Sequence, residues 1–177
     1  VSSGSAGTIA SGEYLKKLYP EAKVAVSEAL QCPTLLANGF GGHRIEGIGD
    51  KHVPWIHNVK NTDMVVAIDD EQTMRLLRLF NEPVGRDYLK EKGVDPALVD
   101  TLDSLGISCI CNVLTAIKFA KYYELDENDV VMTVFTDSEA LYTSRLAELS
   151  VERGPYIRDN AVADFEMLSQ VGTDALL

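Results

Sequence analysis

Residues 4–8, GSAGT, place two glycines and small side chains directly ahead of a helix-like run. The first N–H groups of a helix lack backbone partners and carry a partial positive charge, so small residues at this point let the backbone close around a phosphate. Gly4, Ser5, Ala6, Gly7 and Thr8 are therefore candidates for a phosphate cradle. The alternative is a tight turn in which Thr8 caps the helix. The Walker pattern GxxxxGK[ST] and the GxGxxG fingerprint are both absent.

Two further stretches lie where a parallel α/β fold binds ligands, beyond the carboxyl ends of expected strands. The first, residues 39–61, is rich in glycine and longer than a loop that only connects two elements usually is. The second is TDS, residues 136–138, directly after the apolar run VVMTVFT. For TDS the alternative is an ordinary helix cap, a common use of Asp or Ser at such a position.

Cysteine spacing and overall charge limit the classes of function. Cys32, Cys109 and Cys111 lack metal-site spacing and are expected to be buried, unpaired thiols in a reducing compartment. The 27 acidic and 16 basic residues give a net charge of −11, which opposes nucleic acid and anionic membranes as partners. No apolar run reaches the roughly 18 residues that a spanning helix needs. We expect a soluble, cytoplasmic protein without a metal.

The supporting elements follow from hydrophobic periodicity. Helical spacing predicts helices over residues 8–19, from residue 71, and over 107–123, where Ser108, Asn112, Thr115 and Lys118 form one polar seam. Alternating or continuous apolar runs predict strands over 22–29, 63–70 and 130–136. Such an order predicts a three-layer α/β fold, with a mostly parallel, twisted sheet and helices on both faces.

We divide the chain into a ligand-binding α/β domain over residues 1–150 and a tail over 151–177. The domain includes a helical insertion over 81–105, and the tail holds one possible helix over 161–171. Phosphate loops of this kind follow a buried strand, yet three residues precede Gly4. We therefore expect the chain to be a piece of a longer protein.

Taken in order, GSAGT, HRIEGIG with VPW, GISCICN and FTDSEALYTS resemble the pyridoxal-phosphate (PLP) enzymes of the cysteine synthase and cystathionine β-synthase family. This family belongs to the tryptophan synthase β superfamily, of fold type II. The resemblance covers residues 4–149 and implies that the chain is the C-terminal portion of the large domain.

The resemblance also implies roles for particular residues. Residues 4–8 match the family's GTGGT-like loop, which holds the cofactor phosphate. Gly47, Ile48 and Gly49, with Ile45 before them, match a segment on the substrate side of the cofactor. Ser138 matches a serine placed against the pyridine nitrogen. The family's Schiff-base lysine, in an S-x-K segment, has no match in this chain, so no catalytic residue is assigned.

The function implied is β-replacement or β-elimination on a serine-type amino acid, with cysteine synthesis the best-supported subtype. The resemblance further implies a homodimer and a requirement for the missing N-terminal part of the enzyme, without which the chain is inactive. A deaminating lyase acting on threonine, serine or a diamino acid is an alternative within the superfamily. A noncatalytic α/β binding module is an alternative from another class.

Overall fold

The computed structural model describes residues 2–3, 6–49 and 51–177, and it confirms an α/β fold with a parallel sheet. Short 3₁₀ turns are found at Val59–Asn61, Leu102–Ser104 and Glu139–Leu141. Within the described ranges the strands and helices are β1 (Ser2–Ser3), α1 (Ala6–Leu18), β2 (Ala25–Ala29), α2 (Thr34–Ala37), β3 (Met64–Ile68), α3 (Asp70–Asn81), α4 (Pro83–Glu91), α5 (Pro96–Val99), α6 (Ile107–Tyr122), α7 (Thr143–Arg153) and α8 (Arg158–Ser169).

The chain forms two compact units. The first comprises Val1–Asp70, Cys111–Val134 and Gly172–Leu177, and the second comprises Glu71–Ile110 and Phe135–Val171. The chain therefore crosses from one unit to the other four times. The proposed division at residue 150 falls inside helix α7 and stays a prediction.

The sheet of the first unit is parallel, in the order β1-β2-β3. The β2–β3 ladder runs from the Ala25–Met64 pair to the Ala29–Ile68 pair, and every residue of both strands is buried. Such burial is typical of parallel strands that are covered on both faces. Burial on both faces explains the continuous apolar run of β3. The polar residues of β2 are buried as well.

The polar seam of α6 is buried, and its members in the first unit each have a partner. The Thr115 hydroxyl lies 2.7 Å from that of Ser27 on β2, and the Ser27 hydroxyl is also 3.3 Å from the Cys111 sulfur. Asn112 donates from Nδ2 to the Val134 carbonyl at 3.0 Å. Because an unpaired buried polar group is costly, the contacts of the two hydroxyls and of Asn112 Nδ2 offset much of the cost of burying them, whereas Asn112 Oδ1 is buried without a partner.

The C-terminal residues pair with the outer edge of β3. Val65 and Leu177 exchange backbone hydrogen bonds of 2.8 and 3.1 Å, and the Ala67 N–H donates to the Ala175 carbonyl at 3.0 Å. Lys118 on α6 holds the same segment, because its buried ammonium donates to the Asp174 backbone oxygen at 2.8 Å and to Oδ1 at 2.9 Å. The end of the chain thus forms an antiparallel addition to the sheet.

The second unit is helical. Residues 81–105 contain α4, α5 and a 3₁₀ turn, which confirms their helical character, and the expected tail helix is α8. Buried Asp164 of α8 accepts from Arg75 Nε at 2.5 Å and from the Tyr156 hydroxyl at 2.8 Å. This carboxylate joins α3 to α8 and is fully paired, as a buried charge needs to be.

The strand expected over residues 130–136 is wrong. In the part of the chain that the structure describes, no strand pairs with this segment, and Val130, Met132 and Phe135 are 87%, 64% and 52% exposed. A strand's backbone groups need a neighbouring strand to complete their hydrogen bonds. An apolar run indicates that a segment can be a strand, but it does not supply that neighbour.

The tail contact generates a test. Replacing Lys118 with Met keeps the apolar stem and removes the ammonium that holds Asp174. We expect the Val65 and Ala67 amides to exchange about ten- to hundredfold faster, the range for losing a hydrogen bond to a charged group. Hydrogen exchange read by NMR measures this. Lys17→Met, at an exposed position of α1, is the control, and equal exchange in both variants contradicts the role of Lys118.

Candidate functional site

The proposed phosphate cradle lies at the start of α1. Gly4 and Ser5 lie outside the described residues, whereas Ala6, Gly7 and Thr8 form the first turn of the helix. Thr8 is therefore inside the helix, so the alternative in which Thr8 is its N-cap is wrong. The first turn contains no acidic residue, and Lys16 and Lys17 lie in the last turn. A helix N-terminus of this kind attracts an anion.

The strands determine where this helix begins. β1 pairs in parallel with β2, with Ser2 opposite Val26 and Ser3 opposite Ser27. α1 follows β1 closely, so its N-terminus lies at the carboxyl edge of the sheet. Ligands of open parallel sheets bind at this edge, which agrees with the function predicted for residues 4–8.

The segment Ile45–Gly49 folds as a tight turn anchored by two buried side chains. Ile45 and Ile48 are 0% and 1% exposed, and Gly47 and Gly49 have φ angles of 82° and 90°. Residues with a Cβ rarely adopt these angles. A Cβ on Gly49 would also lie 3.3 Å from His43 Nε2 and 3.9 Å from the Ala29 nitrogen at the end of β2. The turn therefore lies beside the carboxyl end of β2.

Side chains that follow β2 and β3 hold this loop in place. Gln31 donates to Asp69 Oδ1 at 2.8 Å, and its Oε1 accepts from the Asp70 N–H at 3.1 Å. Asp70 Oδ2 in turn accepts from the Arg44 N–H at 2.8 Å, just before Ile45. The first turn of α1 and the Gly47–Gly49 turn thus belong to the same unit and the same edge of the sheet.

Glu28 is a member of this edge that sequence analysis missed. It is 3% exposed, and its two oxygens accept from the Leu35 and Leu36 N–H groups at 3.0 and 2.9 Å, at the start of α2. Glu28 and Gly49 both line a cavity of about 30 Å³. That volume suits about one water molecule and is far too small for a cofactor.

His57 lines the same cavity and is a structural residue of the loop. Its ring Nε2 lies 2.8 Å from the Thr62 hydroxyl, and its backbone N–H donates to the Pro54 carbonyl at 2.8 Å. Burial lowers the pKa of His57 below the usual value, and the negative charge of Glu13 partly opposes this. The neutral imidazole is therefore favoured in the fold.

Ser138 belongs to the second unit. Its backbone is extended, with φ −118° and ψ 169°, and it precedes the 3₁₀ turn Glu139–Leu141. The hydroxyl makes no capping hydrogen bond to this turn, so the ordinary cap predicted as the alternative is not formed. The side chain is half-buried. Its hydroxyl is therefore not committed to the adjacent turn, which fits a hydrogen bond to a ligand.

The cysteines are free and buried, as predicted. Burial raises the pKa of Cys111 to about 12, so its thiol stays protonated at neutral pH. The thiolate is the reactive form of cysteine, so this shift lowers the reactivity of Cys111.

Comparison with known proteins finds relatives that are named cysteine synthase. The chain is 32% identical over 143 residues to a probable cysteine synthase of Bacillus subtilis and 27% identical over 142 residues to the cysteine synthase of Staphylococcus aureus. The chain is a partial homologue of the cysteine synthases. Each match covers 80% of this chain and 40% of the relative, so the chain spans about two fifths of the length of these curated relatives.

Solved structures agree on the fold. The O-acetyl serine sulfhydrylase isoform 3 of Entamoeba histolytica superposes with a TM-score of 0.61 at 22% identity, over 90% of this chain and 42% of that protein. The fold of this cysteine synthase homologue is thus part of the fold found in that enzyme. No family model matches the chain. Among the described helices, none is both long and apolar enough to cross a membrane.

The position of α1 predicts anion binding without any cofactor. Titration with inorganic phosphate should shift the amide resonances of Ala6, Gly7 and Thr8, because a helix N-terminus attracts an anion by itself. The last turn of α4 serves as an internal reference, because the carboxyl end of a helix carries a partial negative charge and does not attract an anion.

Ala6→Asp should abolish this response, because it places a carboxylate in the first turn. Ala10→Asp is the matched control, since it makes the same change at an exposed position one turn later. If Ala6→Asp and Ala10→Asp respond to phosphate as the parent chain does, α1 is not the anion site.

Proposed function

We propose that this chain is the portion of a PLP-dependent, cysteine synthase-like enzyme that holds the phosphate and the ring nitrogen of the cofactor. The reaction is β-replacement or β-elimination on a serine-type amino acid with a leaving group on Cβ. The observation that carries the proposal is the start of α1 at the carboxyl edge of a parallel sheet, in a chain homologous to cysteine synthases.

The residues present fit such a cofactor. The first turn of α1 lies at a helix N-terminus and contains no acidic residue, which suits a phosphate. The Ser138 hydroxyl, which makes no capping bond, is available to the ring nitrogen. When bound, PLP supplies an electron-withdrawing ring that stabilises negative charge on the substrate α-carbon.

The chain's own residues then have three tasks. The N–H groups of residues 4–8 hold the phosphate and so orient the cofactor. Ser138 contacts the ring nitrogen as a neutral partner. The turn Gly47–Gly49 borders the substrate, where the absence of side chains at its two glycines lets the backbone approach closely.

The rest of the enzyme is the main partner in this proposal. The relatives have about three fifths of their length outside the match, and the cofactor-linked lysine of the family has no counterpart here. The exposed apolar segment 130–135 is consistent with an incomplete sheet. We further propose that the complete enzyme is a cytoplasmic homodimer.

Two other functions predict different products. A deaminating lyase of the same superfamily would release ammonia from threonine, serine or a diamino acid. A noncatalytic module would bind a ligand and release nothing. The carboxyl-edge site of the sheet is compatible with each, and the homology to cysteine synthases favours β-replacement.

The chain by itself should lack both covalent cofactor and turnover. After PLP is added and excess is removed by gel filtration, we expect no retained absorbance and no lysine modified by borohydride.

When the chain is joined to the portion that its relatives carry, the completed enzyme should form cysteine from sulfide and an activated serine. Release of ammonia from threonine instead identifies the lyase, and stoichiometric PLP on a lysine of this chain refutes the proposed division of roles.

Ser138 should control the course of the reaction in the complete enzyme. Ser138→Asp places a carboxylate beside the ring nitrogen, which favours its protonated form. We expect slower β-replacement or β-elimination and more transamination by-product. Ser138→Ala, as the matched variant, should raise the activation free energy of the reaction by roughly 0.5 to 1.5 kcal/mol, the value of one neutral hydrogen bond. Unchanged rate, spectrum and product ratio in Ser138→Asp would show that Ser138 does not contact the ring.

A further inference from the structure

We infer that Asp137 is a positioning residue that fixes Ser138, and that Tyr142 and Cys109 hold its carboxylate while Gly106 and Cys109 hold its main-chain carbonyl. The inference rests on the proposed function where it concerns the cofactor ring. The contacts themselves lie within the second unit and do not depend on that proposal.

Tyr142 provides the strongest contact with Asp137. Its hydroxyl donates to Asp137 Oδ2 at 2.6 Å, a length typical of a charge-assisted O–H···O⁻ bond. Tyr142 is itself fixed, because it is 8% exposed and its carbonyl accepts from the Arg145 and Leu146 N–H groups at the start of α7. One oxygen of the Asp137 carboxylate is thereby bound to a rigid helix end.

The start of α6 holds the rest of Asp137. Cys109, which is fully buried, donates its thiol toward the Asp137 carbonyl at 3.3 Å and toward Oδ1 at 3.4 Å. The Gly106 N–H donates to the same carbonyl at 3.1 Å. Both carboxylate oxygens and the main-chain oxygen of Asp137 are therefore engaged. A negative charge is also favourable near a helix N-terminus.

Gly106 is needed at this site for space. A Cβ built on Gly106 would overlap Asp137 Oδ1 and would lie 2.8 Å from the Tyr142 ring. Because Asp137 and Tyr142 are both hydrogen-bonded, neither can move away without losing a contact. The clamp, defined as Gly106, Cys109, Asp137 and Tyr142, thus admits no larger residue at Gly106.

Ser138 depends on this clamp because its other backbone contact is local. The Ser138 carbonyl accepts from the Leu141 N–H at 3.3 Å, and this bond lies within the following short turn, so it does not join Ser138 to another element. Residues 130–136 pair with no strand in the described part of the chain, and the Ser138 side chain makes no capping bond. The Thr136 hydroxyl lies 3.4 Å from that of Ser108, which is a weak contact. Asp137 is therefore the fixed point from which the position of Ser138 follows, and the Ser138 hydroxyl remains available to a ring nitrogen.

The first test uses this chain without cofactor. Tyr142→Phe removes the hydroxyl and keeps the ring, and Tyr122→Phe, at an exposed position of α6, is the matched control. We expect native-state alkylation of Cys109 by iodoacetamide to be about tenfold faster in Tyr142→Phe. The Ser138 amide resonance should shift in the same variant. Cys32 and Cys111, read by mass spectrometry in the same sample, should react as before.

Two Asp137 variants separate positioning from general loss of structure. Asp137→Asn keeps one side-chain acceptor and the main-chain oxygen, so it should retain much of the slow Cys109 alkylation. In Asp137→Ala, alkylation of Cys109 should become fast. If alkylation of Cys109 and the Ser138 resonance are unchanged in Tyr142→Phe, the clamp does not position Ser138 and the inference is overturned.

The second test uses the completed, PLP-loaded enzyme. Tyr142→Phe should move the cofactor absorption band in the direction that Ser138→Ala moves it, and the double variant should add nothing further. A band moved by Ser138→Ala but not by Tyr142→Phe overturns the inference. A band that Ser138→Ala leaves unchanged instead removes Ser138 from the proposed function, while the measurements on this chain still decide whether the clamp positions Ser138.

Discussion

Five consecutive residues of β2 pair in parallel with five of β3, and this buried ladder is the constraint on which the first unit depends. Parallel strands end at the same edge, so the segments that follow β2 and β3 are brought together although they lie almost 40 residues apart in the sequence. The Gln31–Asp69–Asp70–Arg44 hydrogen bonds and the Gly47–Gly49 turn are consequences of that arrangement. The start of α1 is placed at the same edge by the pairing of β1 with β2.

Sequence patterns predicted the helices and strands that depend on local periodicity. They did not predict structure that depends on a partner far away in the sequence. The apolar run of β3 and the seam of α6 were readable because burial there follows the period of one strand or one helix. Ser27 and Glu28 are different: they are adjacent polar residues on opposite faces of β2, yet both are buried. The Thr115 hydroxyl pairs with Ser27, and backbone N–H groups of α2 pair with Glu28. The spacing of residues in the sequence does not reveal either partner.

The candidate site likewise combines residues with a local sequence pattern and residues held by distant partners. Residues 4–8, Gly47–Gly49 and Ser138 were identified from short motifs and a family resemblance. The groups that hold Ser138 were not, because Cys109 and Gly106 lie about 30 positions before Asp137 in the sequence, and a thiol next to a carbonyl has no sequence signature. The failure at residues 130–136 has the opposite cause, since a clear local pattern was present and the described residues contain no strand that pairs with it.

The antiparallel contact of residues 175–177 with β3 also affects the behaviour of the protein in concentrated solution. An open strand edge presents unpaired N–H and C=O groups that can add a strand from another molecule. Val65 and Ala67 would offer such groups if Ala175 and Leu177 were removed. Proteolytic trimming after Asp174 would therefore turn a closed edge into a template for self-association, at a site remote from the start of α1 in sequence.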